Sequence, residues 1–418
     1  MSTVIDLSRH GQRKRSVPVI DPHQWGKLAH ESRSHAIRGG LMPGLAGGAE
    51  AVAQRQEVPL LPFTASAHEH YEPAFTVGPT AIGAATVQYN PQDVPAYGYL
   101  RSIVLEVSAT GGTIGTAVMN ADYPYNCIQS VSLQDVNGAN IVGPFDGYSL
   151  YLANVLGGYA FNNNPANAPS FQGAQNPNPI FYLRIPVEIS QHDGLGSLAN
   201  QNAASEFKVS LTLNSTAGIL TSGAFGVAPT ISIRGWLEAW TLPAATNNRG
   251  EPQAQVPPLL GTGQFWSSTT RPTAIGANIV PLTRVGNLIR GVAIVGRTAA
   301  GVRDSTVIPD PILWNWDGNQ IFNYSQRLAS ILLNEKMGGP LTLPAGVFFL
   351  PYNNFRLGKM GNDSPDGWLP TTSSSRIELQ GVSAAAGTIQ LLTNEVAPVE
   401  PNQAARFQVP SMTGTVQA

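Results

Sequence analysis

Two histidines bracket a glutamate in His68-Glu69-His70. On an extended strand, positions 68 and 70 point to one face, which is how a transition-metal site can begin. No third ligand stands at a supporting spacing, so two surface imidazoles are the favoured reading. Gly111-Gly112-Thr113-Ile114-Gly115 is as glycine-rich as a phosphate-binding loop. The Lys-Ser/Thr that must follow such a loop is missing, which leaves a turn. Asp304 and Asp310 flank a proline-rich turn and have the side chains for a general acid and base. Nothing else converges on them, and aspartate is a common turn former. Trp236, Trp240, Trp314 and Trp316 alternate in pairs along apolar segments. Such pairs serve as a sugar-stacking platform or, as expected here, as sandwich core or subunit interface. The chain has no nucleophile elbow and no metalloprotease helix. The expectation is a protein that catalyses nothing and holds no cofactor or metal.

The chain has 418 residues, enough for two domains of ordinary size. Its charged fraction is 12%, about half of what a soluble domain usually carries. With 43 Gly and 33 Pro, the composition favours a turn-rich β protein. So few charges protect poorly against association, so much of the surface is expected to be covered by copies of the chain. The net charge of −2 does not suit a protein that coats nucleic acid, and no sequence-specific nucleic-acid contact is expected. Cys127 is the single cysteine, so stability must come from packing and assembly. No run of 18 apolar residues reads as a membrane span. Arg9, Arg13, Lys14 and Arg15 are followed by no apolar stretch of the secretory kind. The chain is therefore expected to stay in the cytoplasm where it was made, or in a particle assembled there, and Asn214-Ser215-Thr216 reads as a polar strand end.

Charge is uneven along the chain. Residues 1–40 hold seven basic side chains (Arg9, Arg13, Lys14, Arg15, Lys27, Arg33, Arg38) against Asp6, Asp21 and Glu31, a net +4. Asp21-Pro22 is a helix start, with Asp as cap and Pro at the first position. Trp25, Leu28, Ala29, Ser32 and Ile37 then fall near one face, and Gly39-Gly40 ends the run. Gly, Ala and Pro dominate Leu41 to Ala53, which reads as a tether. An isolated helix of this length is marginal in water, so the arm is expected to order on assembly. Trp25, Leu28 and Ile37 would then dock on a neighbouring subunit or lipid, while Arg13, Lys14, Arg15 and Lys27 meet anionic lipid or genome.

From about Tyr97 the pattern changes to strands rich in β-branched residues. Leu100–Val107, Cys127–Leu133, Phe181–Ile189, Phe207–Leu213 and Ile231–Trp240 form one set. Leu288–Val295, Ile312–Trp316, Val347–Leu350, Ile377–Gln380 and Thr388–Leu392 form a second. The halves echo each other. Ser130–Gln134 runs into Asp135-Val136-Asn137-Gly138, and Ile312–Trp316 into Asp317-Gly318. Both are hairpin signals whose central residues are expected at positive φ. Tyr148-Ser149 then precedes Leu152-Ala153 and Leu156, as Tyr324-Ser325 precedes Leu328-Ala329 and Leu332. Each Leu pair makes an i, i+4 stripe for a helix lying on a sheet edge. Each helix is followed by an apolar strand ending in proline, Pro186 and Pro351, expected at strand ends or sheet edges. The domain reading is an arm and tether over 1–54, a first sandwich over 55–243, a linker over 244–260, a second sandwich over 261–400 and a tail over 401–418.

Ile128-Gln129-Ser130-Val131 through Asp135 and Gly138 into Tyr148–Leu156 resembles the tectivirus-type double jelly-roll major capsid proteins of tailless, internally membraned icosahedral bacteriophages. So do Phe181–Pro186 with its polar turn Ser190–Asn202, Phe207–Leu213, Ile231–Trp240 running into Leu242-Pro243, and Gly346-Val347-Phe348-Phe349. The likeness covers roughly residues 98–240 and 285–395 and is one of pattern. It implies an all-β fold of two tandem jelly rolls, each with a short helix after a hairpin, plus an N-terminal helical arm. It also implies a homotrimer of pseudo-hexagonal outline that builds an icosahedral virion shell around an inner membrane. Partners would be neighbouring capsomers, penton and minor capsid proteins, and the membrane surface through the arm. The loop Gly157–Pro179 and the long arm depart from the pattern. Two other classes compete: a carbohydrate-binding or adhesive β-sandwich protein, and a glycan hydrolase whose carboxylate pair is not identifiable. Against both stand the lack of a secretion signal, the basic tethered arm and the duplicated halves.

Overall fold

Alternation in the sequence becomes alternation in burial. In Lys208–Leu213 the residues Val209, Leu211 and Leu213 are buried while Lys208, Ser210 and Thr212 are not, as a strand with one dry face requires. The computed structural model describes residues 61–159, 176–283, 285–336, 343–352, 368–372 and 374–397. The arm with Arg13, Lys14, Arg15, Trp25, Lys27, Leu28 and Ile37, most of the loops 157–179 and 352–373, and the tail 401–418 lie outside the described residues.

The first half runs β1 (Glu69–Ala81), β2 (Val87–Gln88), β3 (Gln92–Asp93), β4 (Tyr99–Thr110), β5 (Val118–Met119), β6 (Ile128–Gln134) and β7 (Asn140–Phe145). Helix α1 (Gly147–Leu156) follows, then β8 (Ile180–Pro186), β9 (Leu198–Ala199), β10 (Lys208–Leu213), the one-turn α2 (Thr216–Ile219), β11 (Leu220–Ser222) and β12 (Thr230–Trp240). The second half has β13 (Gly263–Thr273), β14 (Gly276–Pro281), β15 (Leu288–Thr298), β16 (Ile312–Trp316) and β17 (Asn319–Tyr324). After these come α3 (Gln326–Lys336), β18 (Val347–Pro351), β19 (Leu369–Pro370), β20 (Ile377–Ser383) and β21 (Gly387–Ala397).

Pairing shows one topology written twice. The order β1-β12-β4-β8 in the first half matches β13-β21-β15-β18 in the second, and β2-β10-β6-β7 matches β14-β20-β16-β17. Each half is thus a jelly roll of two four-stranded sheets, with a helix directly after β7 in the first and after β17 in the second. The halves are joined edge to edge, because β7 meets β13 in parallel at Val142 and Trp266. The β7 and β13 sheets thereby merge into a single ten-stranded sheet. Pro186 and Pro351 end the edge strands β8 and β18, where their missing N–H does no harm.

Two sequence expectations need correction. Strands do not begin near Tyr97: β1 precedes that point, and β13 and β14 also form. Pro73 and Pro79 interrupt β1, and β13 is mostly Ser, Thr and Gln. Neither carries a period-two signal, so their pairing with the distant strands β12 and β21 decides. The two hairpin turns also differ. Asp317 and Gly318 both have positive φ, whereas at the first turn only Gly138 does. There the Asp135 carboxylate accepts from Asn137 N (2.7 Å) and Ala139 N (3.1 Å), an Asx-type turn that substitutes for a second positive φ.

Candidate assembly surfaces and buried charge clusters

The junction between the jelly rolls is the best-built polar site. Asp122, just before β6, accepts from Arg303 Nε (2.6 Å) and from Arg297 Nη1, and all three side chains are largely buried. Both guanidinium groups also lie over the Tyr148 ring of α1, at 4.7 Å for Arg303 and 5.6 Å for Arg297. Burial pushes the Tyr148 phenol above its ordinary range, so it stays neutral. One helical turn in, Gln390 Nε2 of β21 donates to Ser149 Oγ of α1 (3.0 Å). Deeper still, Gln264 Nε2 donates to the Glu188 carbonyl (2.7 Å) while Gln264 Oε1 accepts from Asn394 Nδ2 (2.9 Å) and Trp266 Nε1 (3.1 Å). Arg290 Nη2 reaches the Ile189 carbonyl at 3.2 Å. A buried amide with each group engaged fixes register between two sheets.

A second cluster lies wholly in the first half. Arg101 of β4 meets Glu188 (2.8 Å), Glu238 of β12 (3.4 Å) and Glu69 of β1 (2.7 Å), and its guanidinium covers the Trp240 ring at 4.0 Å. Arg184 adds a contact to Glu238 at 3.2 Å. Trp240 Nε1 donates to Glu188 Oε1 at 2.6 Å. Burial drives the Glu188 carboxyl up to about 7, with Arg101 and Trp240 pulling it back. Tyr71, which donates to Glu238 at 2.9 Å, is raised to about 12 by burial and by that carboxylate. A raised carboxylate is a recognised mark of catalytic acids. Here both oxygens of Glu188 are engaged by Arg101, Trp240 and Ser197, so the cluster ties strands together.

The candidates singled out by spacing do not converge. His70 stacks on Tyr97 (4.0 Å) and touches Glu72 (3.2 Å), while His68 pairs through its backbone with Thr241. Among the described residues no group of three or more His, Cys, Asp or Glu is placed to hold a metal. Gly111 and Gly115 take positive φ in a loop after β4. Asp304 caps a short turn at Thr306 N (2.8 Å), and Asp310 caps α3 at Gln326 N (3.1 Å). Trp240 and Trp314 belong to the core, while Trp236 and Trp316 are half-buried.

The surface features escaped the sequence because the repeat gives them the same letters. Leu152 of α1 is 1% exposed, and its counterpart Leu328 of α3 is 44% exposed beside Ile331 at 55%. The outer face of β1-β12-β4-β8 carries Trp236, Arg234, Val104 and Tyr182, none of them buried. The same face of β13-β21-β15-β18 carries Trp266, Leu392, Ala293 and Phe349, all buried. These four belong to the core cluster that α1 shares.

No family model matches the chain, and no curated protein does. Solved structures do. The atomic structure of Sulfolobus Turreted Icosahedral Virus aligns at TM-score 0.55 with 13% identity, over 81% of this chain and 95% of that one. The crystal structure of the STIV MCP aligns at 0.53 with 12% identity, over 80% and 98%. The quasi-atomic PBCV-1 virus capsid aligns at 0.52 with 13% identity, over 79% and 93%. At such identities the likeness is one of fold: the chain has the double jelly-roll architecture of these viral capsid structures.

Proposed function

We propose that the chain is a major capsid protein, a coat subunit that works by self-assembly and not by catalysis. The observation that carries this reading is that nearly the full length of viral coat chains is matched by a chain whose two halves share one topology. A jelly roll is a rigid wedge, and two of like topology in one polypeptide give three chains six wedges, enough for a pseudo-hexagonal capsomer. The capsomer is a homotrimer that packs with its neighbours into an icosahedral shell around an inner membrane. The shell is completed by penton and minor capsid proteins and assembled in the host cytoplasm.

The arm has its place in this reading. Arg13, Lys14, Arg15 and Lys27 supply the charge for anionic lipid or packaged genome, and Trp25, Leu28 and Ile37 supply the apolar face for a neighbour or the membrane. Two experiments test the proposal. Light scattering and electron microscopy of the purified chain should give trimers or shells; a monomer at every concentration would defeat the coat reading. Removing residues 1–40 should leave soluble trimers and abolish closed shells, and normal shells from the truncated chain would remove the arm from the mechanism.

A further inference from the structure

Between the two jelly rolls the chain passes through a segment that belongs to neither sandwich core. Phe63, Ala67, Tyr99 and Trp240 form a small cluster of their own, with Ala254 packed against it. The linker is held there by Tyr99, whose hydroxyl donates to Gln255 O (3.2 Å). It also closes on itself: Gln253 N donates to Ala245 O (3.1 Å), Gln253 Nε2 to Ala244 O, and Asn247 N to Glu251 O (3.0 Å). That closure sets Leu242 and Val256 on the two sides of one neck. Further on, Thr262 N donates to Leu259 O (2.9 Å), and the turn presents Leu259 and Leu260. All four aliphatic side chains are exposed, Leu242 the most at 58%.

The same segment holds polar atoms that lack what they need. Gln253 Oε1, Thr262 Oγ1 and Ser66 Oγ are buried without a hydrogen-bond partner, and Gln253 and Thr262 are each only 4% exposed. Buried polar groups are normally satisfied, so an occupant of this surface must bring hydrogen-bonding groups as well as apolar side chains. Lipid hydrocarbon brings only the second. An extended polypeptide brings both.

The chain supplies such a polypeptide at the right place. Strand β21 ends at Ala397, whose partner in β13 is Gly263, so residues 398–418 start beside Thr262 and Leu260. Their charges cancel, Glu400 against Arg406, and Phe407-Gln408-Val409 puts two apolar side chains on one face of an extended segment. Phe407 stands ten positions after Ala397, a reach of up to about 33 Å, while Leu260 is only three positions from Gly263. So short a tether holds the tail at an effective concentration in the millimolar range, which favours the tail's own chain over a second copy. We infer that residues 398–418 fold back on their own linker. Phe407 and Val409 cover Leu242, Val256, Leu259 and Leu260, and the tail's backbone supplies the partners that Gln253, Thr262 and Ser66 lack. The strap ties the end of the second jelly roll to the segment that joins the halves. It goes beyond the coat reading, because it forms within a single chain whether or not that chain builds a shell.

Hydrogen exchange read by mass spectrometry on the full chain tests this. In the parent, the amides of residues 406–409 should exchange at least about tenfold more slowly than the same stretch as a free peptide, as a docked segment does. Val256→Glu with Leu260→Glu should return them to the free-peptide rate. Phe407→Glu with Val409→Glu should in turn speed exchange in the linker, at residues 255–262. If the linker variant unfolds on circular dichroism, Val256→Ser with Leu260→Ser gives the same reading as a partial loss of protection. Parent tail amides at the free-peptide rate would overturn the strap, as would protection that the linker variants leave untouched. A cross-link decides whose linker is covered. With photoreactive benzoylphenylalanine in place of Phe407, and heavy- and light-isotope chains mixed in equal amounts, products on residues 242–262 should join peptides of one isotope. Products joining heavy to light would mean that the tail docks on a second copy, and the strap as drawn would fall. None of these failures touches the coat reading, which stands or falls on the mass and shells of the purified chain.

Discussion

Helices α1 and α3 stand at the same point of the same topology and share the Tyr-Ser, Leu-Ala, Leu pattern, yet one is buried on nearly every side and the other shows two large apolar residues to solvent. Composition follows this difference. Among the described side chains α1 has no charge, whereas α3 has Arg327 on its outer side. The outer faces of the two corresponding sheets differ in the same sense, with exposed Tyr182 and Arg234 outside β1-β12-β4-β8 but buried Trp266, Leu392, Ala293 and Phe349 outside β13-β21-β15-β18. The comparison teaches that a jelly roll does not dictate how dry its flank is. The flank takes its character from what leans on it: for the second half's sheet that is another part of the same chain, made permanent by folding, and a permanently covered surface can be apolar at no risk to solubility.

The contrast can be broken in several ways. The largest effect is expected at the junction itself. Asp122→Ala leaves Arg297 and Arg303 without their counter-charge, and breaking a buried ion pair of this kind costs about 3–5 kcal/mol. Urea unfolding should show that loss as a lower midpoint; an unchanged midpoint would mean that the clamp carries no stability. Next, Leu152→Ala should cost about 2–5 kcal/mol, as large-to-small changes in a tight core do. The equivalent Leu328→Ala should stay within about 1 kcal/mol in the unassembled chain. Equal losses would mean that the two helices are packed alike after all.

A third measurement asks whether one half alone is sensitive to pH. The Glu188 carboxyl is held up at about 7 in the folded chain, above its ordinary 4.5, so between these values the folded state keeps a proton that the unfolded state releases. The contribution of this group to stability is therefore greatest below the ordinary value and is lost as pH rises through about 7, with a slope no steeper than about 1.4 kcal/mol per pH unit. Glu188→Gln should flatten the dependence of the urea midpoint on pH in that window. If the slope persists, the titrating group lies elsewhere. The smallest effect separates the caps. Asp146→Ala, which removes the acceptor for Ser149 N at 2.7 Å, should cost about 1 kcal/mol. Asp310→Ala removes a longer, exposed cap of α3 (3.1 Å) and should cost less by thermal unfolding.

Much of this architecture was legible in the residues. Phe207–Leu213 is legible because alternate side chains enter a dry core, and Leu288–Val295 because an unbroken apolar run suits a strand buried on both faces. Both helices were found because Tyr-Ser, Leu-Ala and Leu recur at one spacing. Strands β1 and β13 were not, because they are held by partners more than a hundred residues away and carry little periodicity of their own. The charge clusters were hidden for the same reason, since Arg101 and Glu188 are 87 positions apart. A local signal did exist. Leu100-Arg101-Ser102-Ile103 and Val187-Glu188-Ile189 each place one charge inside an apolar run, where a solvated side chain would be out of place. The unequal cover of the repeated helices had no sequence signal at Leu152 and Leu328, because burial there depends on the neighbour and not on the letter.

The strand bridge at Val142 and Trp266 makes a beam of what would otherwise be two beads on a string. A hydrogen-bonded sheet resists shear along its plane, and the Asp122 clamp sits to one side of it like a gusset, so the angle between the wedges is decided while the polypeptide folds. The bevel between the two halves is thereby cut before any second molecule arrives.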